Sequence, residues 1–321
     1  MSAVLAVVRR FAAAHDLLPR GSTVLAACSG GPDSVALVVL LDRLAHELGF
    51  TLVIGSVDHG LRPESAAEVE GVAALATELE RPFRSRTLAL QAGAGLQARA
   101  RDARLAALEA LAAELGADRV ALGHTADDQA ETVLARLLRG AGVRGLGAMA
   151  PSRRTERTLL VRPLLTCRRL DLRAHLEASG RSWVDDPSNL DPRFERVRLR
   201  QILAQLEGED ARLVEHLAHL AADARDHSQV ISAAADALGS DPDVETLRAA
   251  PRAVRRVALR EWASRRDVAL GRAHLEALEA LVLTERGAVL LPGDRQVTLE
   301  GGTLALGPGP ERTRSTAPSD D

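Results

Sequence analysis

The residues best suited to chemistry begin where an apolar run, Thr23 to Cys28, stops at Ser29-Gly30-Gly31-Pro32-Asp33-Ser34 and a helical pattern starts at once. Two adjacent glycines let the backbone take positive φ and turn successive N–H groups toward one point, and the following helix adds the positive end of its dipole. That combination is a phosphate cradle. It lacks the GK[ST] ending of a Walker loop, and the chain has no lysine at all, which weakens ATPase and kinase readings and rules out a catalytic lysine. Asp58 and His59 follow the second apolar run, at a position that could contact a nucleoside or help hold a metal. Gly123-His124-Thr125-Ala126-Asp127-Asp128-Gln129-Ala130-Glu131-Thr132 follows a later one. There, one acid of the Asp127-Asp128 pair suits a helix cap. Two adjacent acids beside His124, facing a polyphosphate, suit Mg²⁺ coordination and proton removal.

Such residues need strands that end together. Thr23 to Ala27, Leu52 to Val57 and Arg119 to Leu122 read as strands, with a weaker one near Arg84 to Leu88 and another at Thr158 to Val161. Helical patterns separate them at Asp33 to Leu48, Glu64 to Leu79, Leu96 to Leu115 and Asp127 to Leu138, after a first helix from Ser2 to His15. Strand and helix in alternation predict an α/β fold, a doubly wound and mostly parallel sheet with ligands at the carboxyl ends of its strands. Helical patterns at Glu209 to Asp236, Val254 to Arg265 and Arg272 to Glu285 then predict a smaller helical domain. It closes in a short β meander whose turns are Pro292-Gly293 and Gly301-Gly302. The expected domains are 1–208, carrying the candidate chemistry; 209–306, helical and ending in the meander; and 307–321, a disordered tail.

Composition narrows the class. At 321 residues, with 46% apolar and 26% charged residues, the chain expects two or three compact units, and no apolar run is long enough for a membrane span. Arginines follow the short apolar stretch at the N-terminus, the wrong order for a secretion signal, so a cytoplasmic protein is expected. Two isolated cysteines, Cys28 and Cys167, support neither a disulfide framework nor a cysteine metal site. Segment 151–200 holds twelve arginines against seven acids, a local surplus able to attract a polyanion. Arg196, Arg198 and Arg200 alternate there as a possible phosphate-positioning strip, and Arg101 and Arg104 share one face of an earlier helix.

The Ser29–Ser34 run resembles the SGGxDS motif of the PP-loop, or N-type ATP pyrophosphatase, superfamily. Read in order with Asp58-His59-Gly60-Leu61-Arg62, the GHTADDQAET run, Arg162-Pro163-Leu164-Leu165 and Trp183-Val184-Asp185-Asp186-Pro187-Ser188-Asn189, the chain resembles the tRNA(Ile)-lysidine synthase family from about Thr23 to Arg200. The resemblance implies a PP-loop fold of the adenine nucleotide alpha hydrolase type. It implies that ATP and Mg²⁺ are used to join L-lysine to C2 of the wobble cytidine in the CAU anticodon of tRNA(Ile). Asp33, Arg101, Asp127 and Asp128 are then the expected catalytic residues. ATP falls to Ser29 through Ser34 with Asp58, His59 and His124. The tRNA falls to Arg104, Arg196, Arg198 and Arg200, and the metal to Asp33 and Asp128. Leu105 and Val197 stand where the family carries a tyrosine and an asparagine. A PP-loop tRNA thiolase and a noncatalytic tRNA-binding module are the alternatives, and a homodimer is compatible with all of them.

Overall fold

The computed structural model describes residues 2–58, 65–88, 96–185 and 191–309. The chain forms two compact units, divided between Arg225 and Asp226. In the first, six strands make one sheet: β1 (Thr23–Ala27), β2 (Thr51–Asp58), β3 (Phe83–Thr87), β4 (Arg119–Ala121), β5 (Ser152–Arg154) and β6 (Leu159–Val161). Their order is β3-β2-β1-β4-β6-β5, parallel throughout except that β5 runs antiparallel to β6. The helices are α1 (Ala3–Ala14), α2 (Pro32–Leu48), α3 (Ser65–Glu78), α4 (Leu96–Glu114), α5 (Ala126–Leu138), α6 (Val143–Leu146), α7 (Arg169–Ala178), α8 (Glu195–Glu207) and α9 (Leu213–Asp236).

The alternation of side chains along each strand decides which helix packs where. Val24 and Ala26 of β1, with Leu52 and Ile54 of β2, face α1, α2, α3 and α7. Leu25, Ala27, Val53 and Val57 face the other way, onto Ala107, Leu108 and Leu111 of α4. Both faces are covered, which is why these strands read as near-continuous apolar runs. Helix α2 is apolar on nearly every side, and Leu37, Leu40, Leu41 and Leu44 have no exposed surface. Each such leucine contributes roughly 1.5–3 kcal/mol by leaving water. The helix that carries the phosphate turn is thereby firmly anchored in the unit. Several elements escape the sequence pattern, β5 and α7 among them. Strand β5 is three polar residues, Ser152, Arg153 and Arg154, with no apolar alternation, and α7 begins in a run of arginines and acids.

Strand order reverses between β1 and β4, because the chain lays β2 and β3 to one side of β1 before crossing to the other. A crevice opens at such a point, outside the carboxyl ends of the strands. Helix α9 begins beyond residue 208, yet the first unit runs on to Arg225. The reason is packing on α5. Leu203 and Val214 are buried with Ala126 and Ala130, and Arg225 donates to the carbonyls of Gly147 and Met149 at 2.6 and 2.8 Å.

The second unit contains α10 (Val244–Ala249), α11 (Arg252–Ser264) and α12 (Arg272–Thr284), with an antiparallel sheet of β7 (Val289–Leu291), β8 (Arg295–Glu300) and β9 (Thr303–Pro308). Its core holds Trp262, Leu259, Leu278 and Val297. The meander turns fall at Gly293 and at Gly301-Gly302, all at positive φ. Residues 310–321, most of the expected tail, lie outside the described residues.

Candidate active site

The turn after β1 is built by Ser34. Its Oγ accepts the N–H of Ser29 at 3.1 Å and donates to the carbonyl of Gly31 at 2.9 Å, closing Ser29 through Ser34 into a ring. Gly30 sits at φ +82°, a conformation that a side chain would strain. Pro32 occupies the first turn of α2, where no N–H is needed, and leaves the Asp33 and Ser34 N–H groups among the donors that a helix start does not satisfy internally. From the far side, the Val184 N–H donates to the Gly30 carbonyl at 3.0 Å and pins the loop.

A second turn follows β4. Gly123 lies so close to the phosphate turn that a Cβ there would stand 3.2 Å from the Asp33 carbonyl oxygen and 3.3 Å from Ser34 Cα. Thr125 then caps α5. Its Oγ1 accepts the Asp128 N–H at 3.3 Å, and Asp128 Oδ2 accepts the Thr125 N–H at 2.8 Å and its hydroxyl at 3.0 Å. This reciprocal cap is worth about 1 kcal/mol and fixes the Asp128 side chain, leaving Oδ1 for other partners.

Those partners are arginines. Arg169, at the start of α7, reaches Asp33 at 3.4 Å, Glu131 at 2.6 Å and Asp128 Oδ1 with one guanidinium. Arg196 of α8 also reaches Asp128 Oδ1 and meets Glu131 at 2.6 Å, and Arg200 meets Glu131 at 3.1 Å. Burial would raise the Asp128 and Glu131 carboxyls, but Arg169 and Arg196 outweigh it and hold both below the usual range. Asp33 goes the other way. Desolvation exceeds what Arg169 returns, with Asp128 repelling as well, and its carboxyl is pushed up to about 6. Asp33 Oδ1 is buried with no protein partner. His124 is held neutral, its pKa lowered to about 4 chiefly by burial, and its Nδ1 is likewise buried and unpaired.

Asp33, His124, Asp128, Arg169, Arg196 and Arg200 line a cleft of about 1080 Å³ that also takes in Ser29, Gly31, Pro32, Arg101, Arg104, Arg153 and Arg162, with Glu131 behind the lining. The structure thus brings together the phosphate turn, Asp33, His124, Asp128, Arg101, Arg104, Arg196 and Arg200. It places Asp127 differently. That carboxylate accepts the Arg169 N–H at 2.8 Å and pairs with Arg168 at 3.2 Å, so it anchors α7 and is absent from the cleft lining. Asp58 ends β2, its carbonyl accepting the Leu88 N–H, and is also absent from that lining. His59, with Asp186 and Asn189, lies outside the described residues.

The alternating arginines of α8 do not form one strip. Residues two apart fall on opposite sides of a helix. Arg198 accordingly turns back to the Pro192 and Arg193 carbonyls, at 2.8 and 2.9 Å, while Arg196 and Arg200 face α5. Much of the arginine surplus in 151–200 is also spent internally, on Asp127, Asp128, Glu131, Glu207 and Asp185. Sequence reading missed Arg169, Glu131 and Arg153 as site residues. Glu131 carried a signal, because it follows Asp128 by three residues and shares its helix face. Arg169 carried none beyond the local surplus.

Among the described residues no three His, Cys, Asp or Glu side chains converge as a metal cluster. The free Asp33 Oδ1 fits Mg²⁺, which takes one or two carboxylates and draws its remaining ligands from phosphates and water. Asp128 does not fit as it stands, since both of its oxygens are engaged.

A parallel sheet with a glycine turn at its switch point and an acid on that turn defines the class, and the PP-loop domain family matches residues 5–207. The family called TilS substrate binding domain matches residues 243–300. A tRNA(Ile)-lysidine synthase of Rhodopseudomonas palustris is 47% identical over 204 residues, 62% of this chain and 59% of that protein. One from Salinispora tropica is 41% identical over 326 residues, covering 95% of this chain and 97% of the relative. The chain belongs to the tRNA(Ile)-lysidine synthase family. It spans about half to three fifths of the length of several relatives, 48% for that of Ruegeria pomeroyi. A U34-tRNA thiolase structure from Methanococcus maripaludis shares the fold, with a TM-score of 0.59 at 17% identity over 70% of this chain and 78% of that one.

Proposed function

We propose that the protein joins L-lysine to C2 of the wobble cytidine in the CAU anticodon of tRNA(Ile), at the expense of ATP, in the cytoplasm. The observation that carries this reading is the Arg169 guanidinium. It links Asp33, on the phosphate turn, to Asp128 and Glu131 on α5, so the nucleotide turn and the acidic end of the cleft lie one side chain apart. A two-step reaction needs both. In the first step cytidine O2 attacks the α-phosphorus of ATP held on Ser29 to Ser34, the bond to the β-phosphate breaks, and pyrophosphate leaves. In the second the lysine ε-amine attacks C2, its proton passes to a base, and AMP departs with the former O2.

The turn and the α2 N-terminus hold the pyrophosphate end of ATP, and His124 hydrogen-bonds the nucleotide, a role supported by its neutral ring and its buried, unpartnered Nδ1. Arg101 offsets charge on the transferring phosphoryl group. Mg²⁺, where bound through Asp33, supplies charge neutralisation to the phosphates. Of the two adjacent acids, Asp128 is assigned as the base, because it lines the cleft and Asp127 does not. Its low pKa suits the role only after Arg169 and Arg196 turn onto incoming phosphate, which frees Oδ1 and lets its proton affinity rise.

Radiolabelled lysine and a transcript of tRNA(Ile) bearing CAU test this reading. ATP-dependent labelling of that transcript, and none of tRNA(Met), is the expected result. Pyrophosphate release without lysine incorporation would instead favour another PP-loop chemistry. A separate expectation concerns Gly123. A Cβ there presses on backbone atoms of Asp33 and Ser34, which cannot swing aside as a side chain would. Gly123→Ala is expected to raise KM for ATP about tenfold through a displaced turn, at a stability cost of about 1–3 kcal/mol. ATP titration and thermal unfolding measure the two effects.

A further inference from the structure

One wall of the cleft has an unbalanced charge. Arg101 and Arg104 of α4, Arg153 of β5 and Arg162 after β6 all line it. Among the described residues no carboxylate pairs with any of the four, and Asp102, which lines the same cleft, forms no ion pair with them. The rest of the lining differs, since Arg169, Arg196 and Arg200 are matched there by Asp33 and Asp128 and by Glu131 behind them.

Arg162 is 6% exposed, and the backbone on either side of it is tied down. Its N–H donates to the Pro151 carbonyl and its Nη1 to the Ala150 carbonyl at 2.7 Å, while Nε is buried without a partner. Burial, then Arg153 and Arg101, lower its pKa to about 10. Arg153 pairs in register with Leu160, which also lines the cleft, so the edge strand delivers this exposed guanidinium to the same wall. Holding uncompensated guanidiniums together costs folding energy and is relieved by an anion.

The phosphate turn and the Arg153–Arg162 pair stand at different places along the sheet. Arg162 follows a strand two positions from β1, which puts its backbone about 10 Å across the sheet from the turn. We propose that Arg153 and Arg162 form a second anion subsite, which takes a backbone phosphate of the RNA beside the nucleotide undergoing adenylation. This rests on the function proposed above. Exposure of Arg153 at the sheet edge suits a ligand that enters from solvent and carries several phosphates, more than the single carboxylate of an amino acid.

Arg153→Ala is the decisive variant, because its side chain is exposed and its loss leaves the core intact, whereas Arg162→Ala removes a buried tether. Binding of a CAU anticodon stem-loop RNA should weaken on the order of tenfold, and the slope of log affinity against log salt should fall by about one. KM for ATP and for lysine should stay within about twofold of wild type, and Arg153→Lys should recover most of the salt slope, because a phosphate contact needs mainly the charge. RNA binding and salt slope equal to wild type in Arg153→Ala would overturn the subsite while leaving the proposed reaction standing. A rise confined to KM for ATP would give the wall to the nucleotide, and one confined to lysine would give it to the amino acid's carboxylate. Failure of the wild-type protein to bind the RNA would overturn both proposals together.

Discussion

Asp33→Asn should lose lysine transfer by about 10²–10³-fold and, in the same protein, become more stable near neutral pH. The two effects have one cause. Asp33 sits in the first turn of α2, where the dipole favours negative charge, yet desolvation dominates and its carboxyl titrates at about 6 instead of the ordinary 3.8. Between those values the native protein holds a proton that the unfolded chain has lost. Stability therefore falls as pH rises from 3.8 through about 6, and above that the ionised carboxylate costs on the order of 2–3 kcal/mol. Asparagine keeps the shape and removes that cost. What it also removes is the unpaired Oδ1, the oxygen suited to Mg²⁺ at the phosphates. Thermal unfolding on either side of pH 6 reads the first effect, with wild type and variant converging at acid pH. The profile of kcat/KM for ATP reads the second, and the wild-type rate should decline below about 6 as one proton binds. A variant that is inactive but no more stable than wild type would mean that Asp33 is not desolvated as described.

The largest stability effect is expected at Arg169. Its guanidinium meets Asp33, Asp128 and Glu131, of which Asp128 and Glu131 are buried, and Arg169→Ala strands carboxylates that have lost their main compensating charge. Breaking a buried pair from one side costs about 3–5 kcal/mol, and for a unit of this size that lowers the unfolding midpoint by about 10 °C. Arg169→Lys should recover little, since one ammonium cannot address three carboxylates that diverge around a planar fork. The loss should ease at acid pH. Without Arg169 the Asp128 and Glu131 carboxyls rise from their depressed values, so protonation relieves the stranded charge. Combining Arg169→Ala with Glu131→Gln should recover part of the stability but none of the activity, because Asp128 and Asp33 would still lack the group that links them. Full activity in Arg169→Ala, measured by lysine incorporation, would remove Arg169 from the site.

The chain's local pattern was enough for five of the six strands of the sheet, the phosphate turn and the acid-rich start of α5. β1 is bounded at Thr23 and Ala27 as its apolar run suggested, and α2 opens at Pro32 because a glycine pair followed by proline and aspartate permits little else. Such features depend on neighbours a few residues away, and their physics is printed in the order of the residues. β5 was not legible, because three polar residues become a strand only when β6 offers an edge to pair with.

Side-chain partnerships across the cleft belong to the tertiary structure alone. Arg169 stands 136 residues from Asp33 and 41 from Asp128, and nothing local distinguishes it from Arg168, which turns instead to Asp127 and Glu207. The same holds for Asp127 and Asp128. As neighbours on a helix they point about 100° apart, so the fold sends one to the α7 backbone and the other to the cleft. The sequence by itself therefore determined the kind of chemistry, through residue types at short spacing. Only the packing of α5, α7 and α8 around one crevice decided which acid and which arginine stand where it happens, because a charge acts on whatever the fold brings within a few ångströms of it.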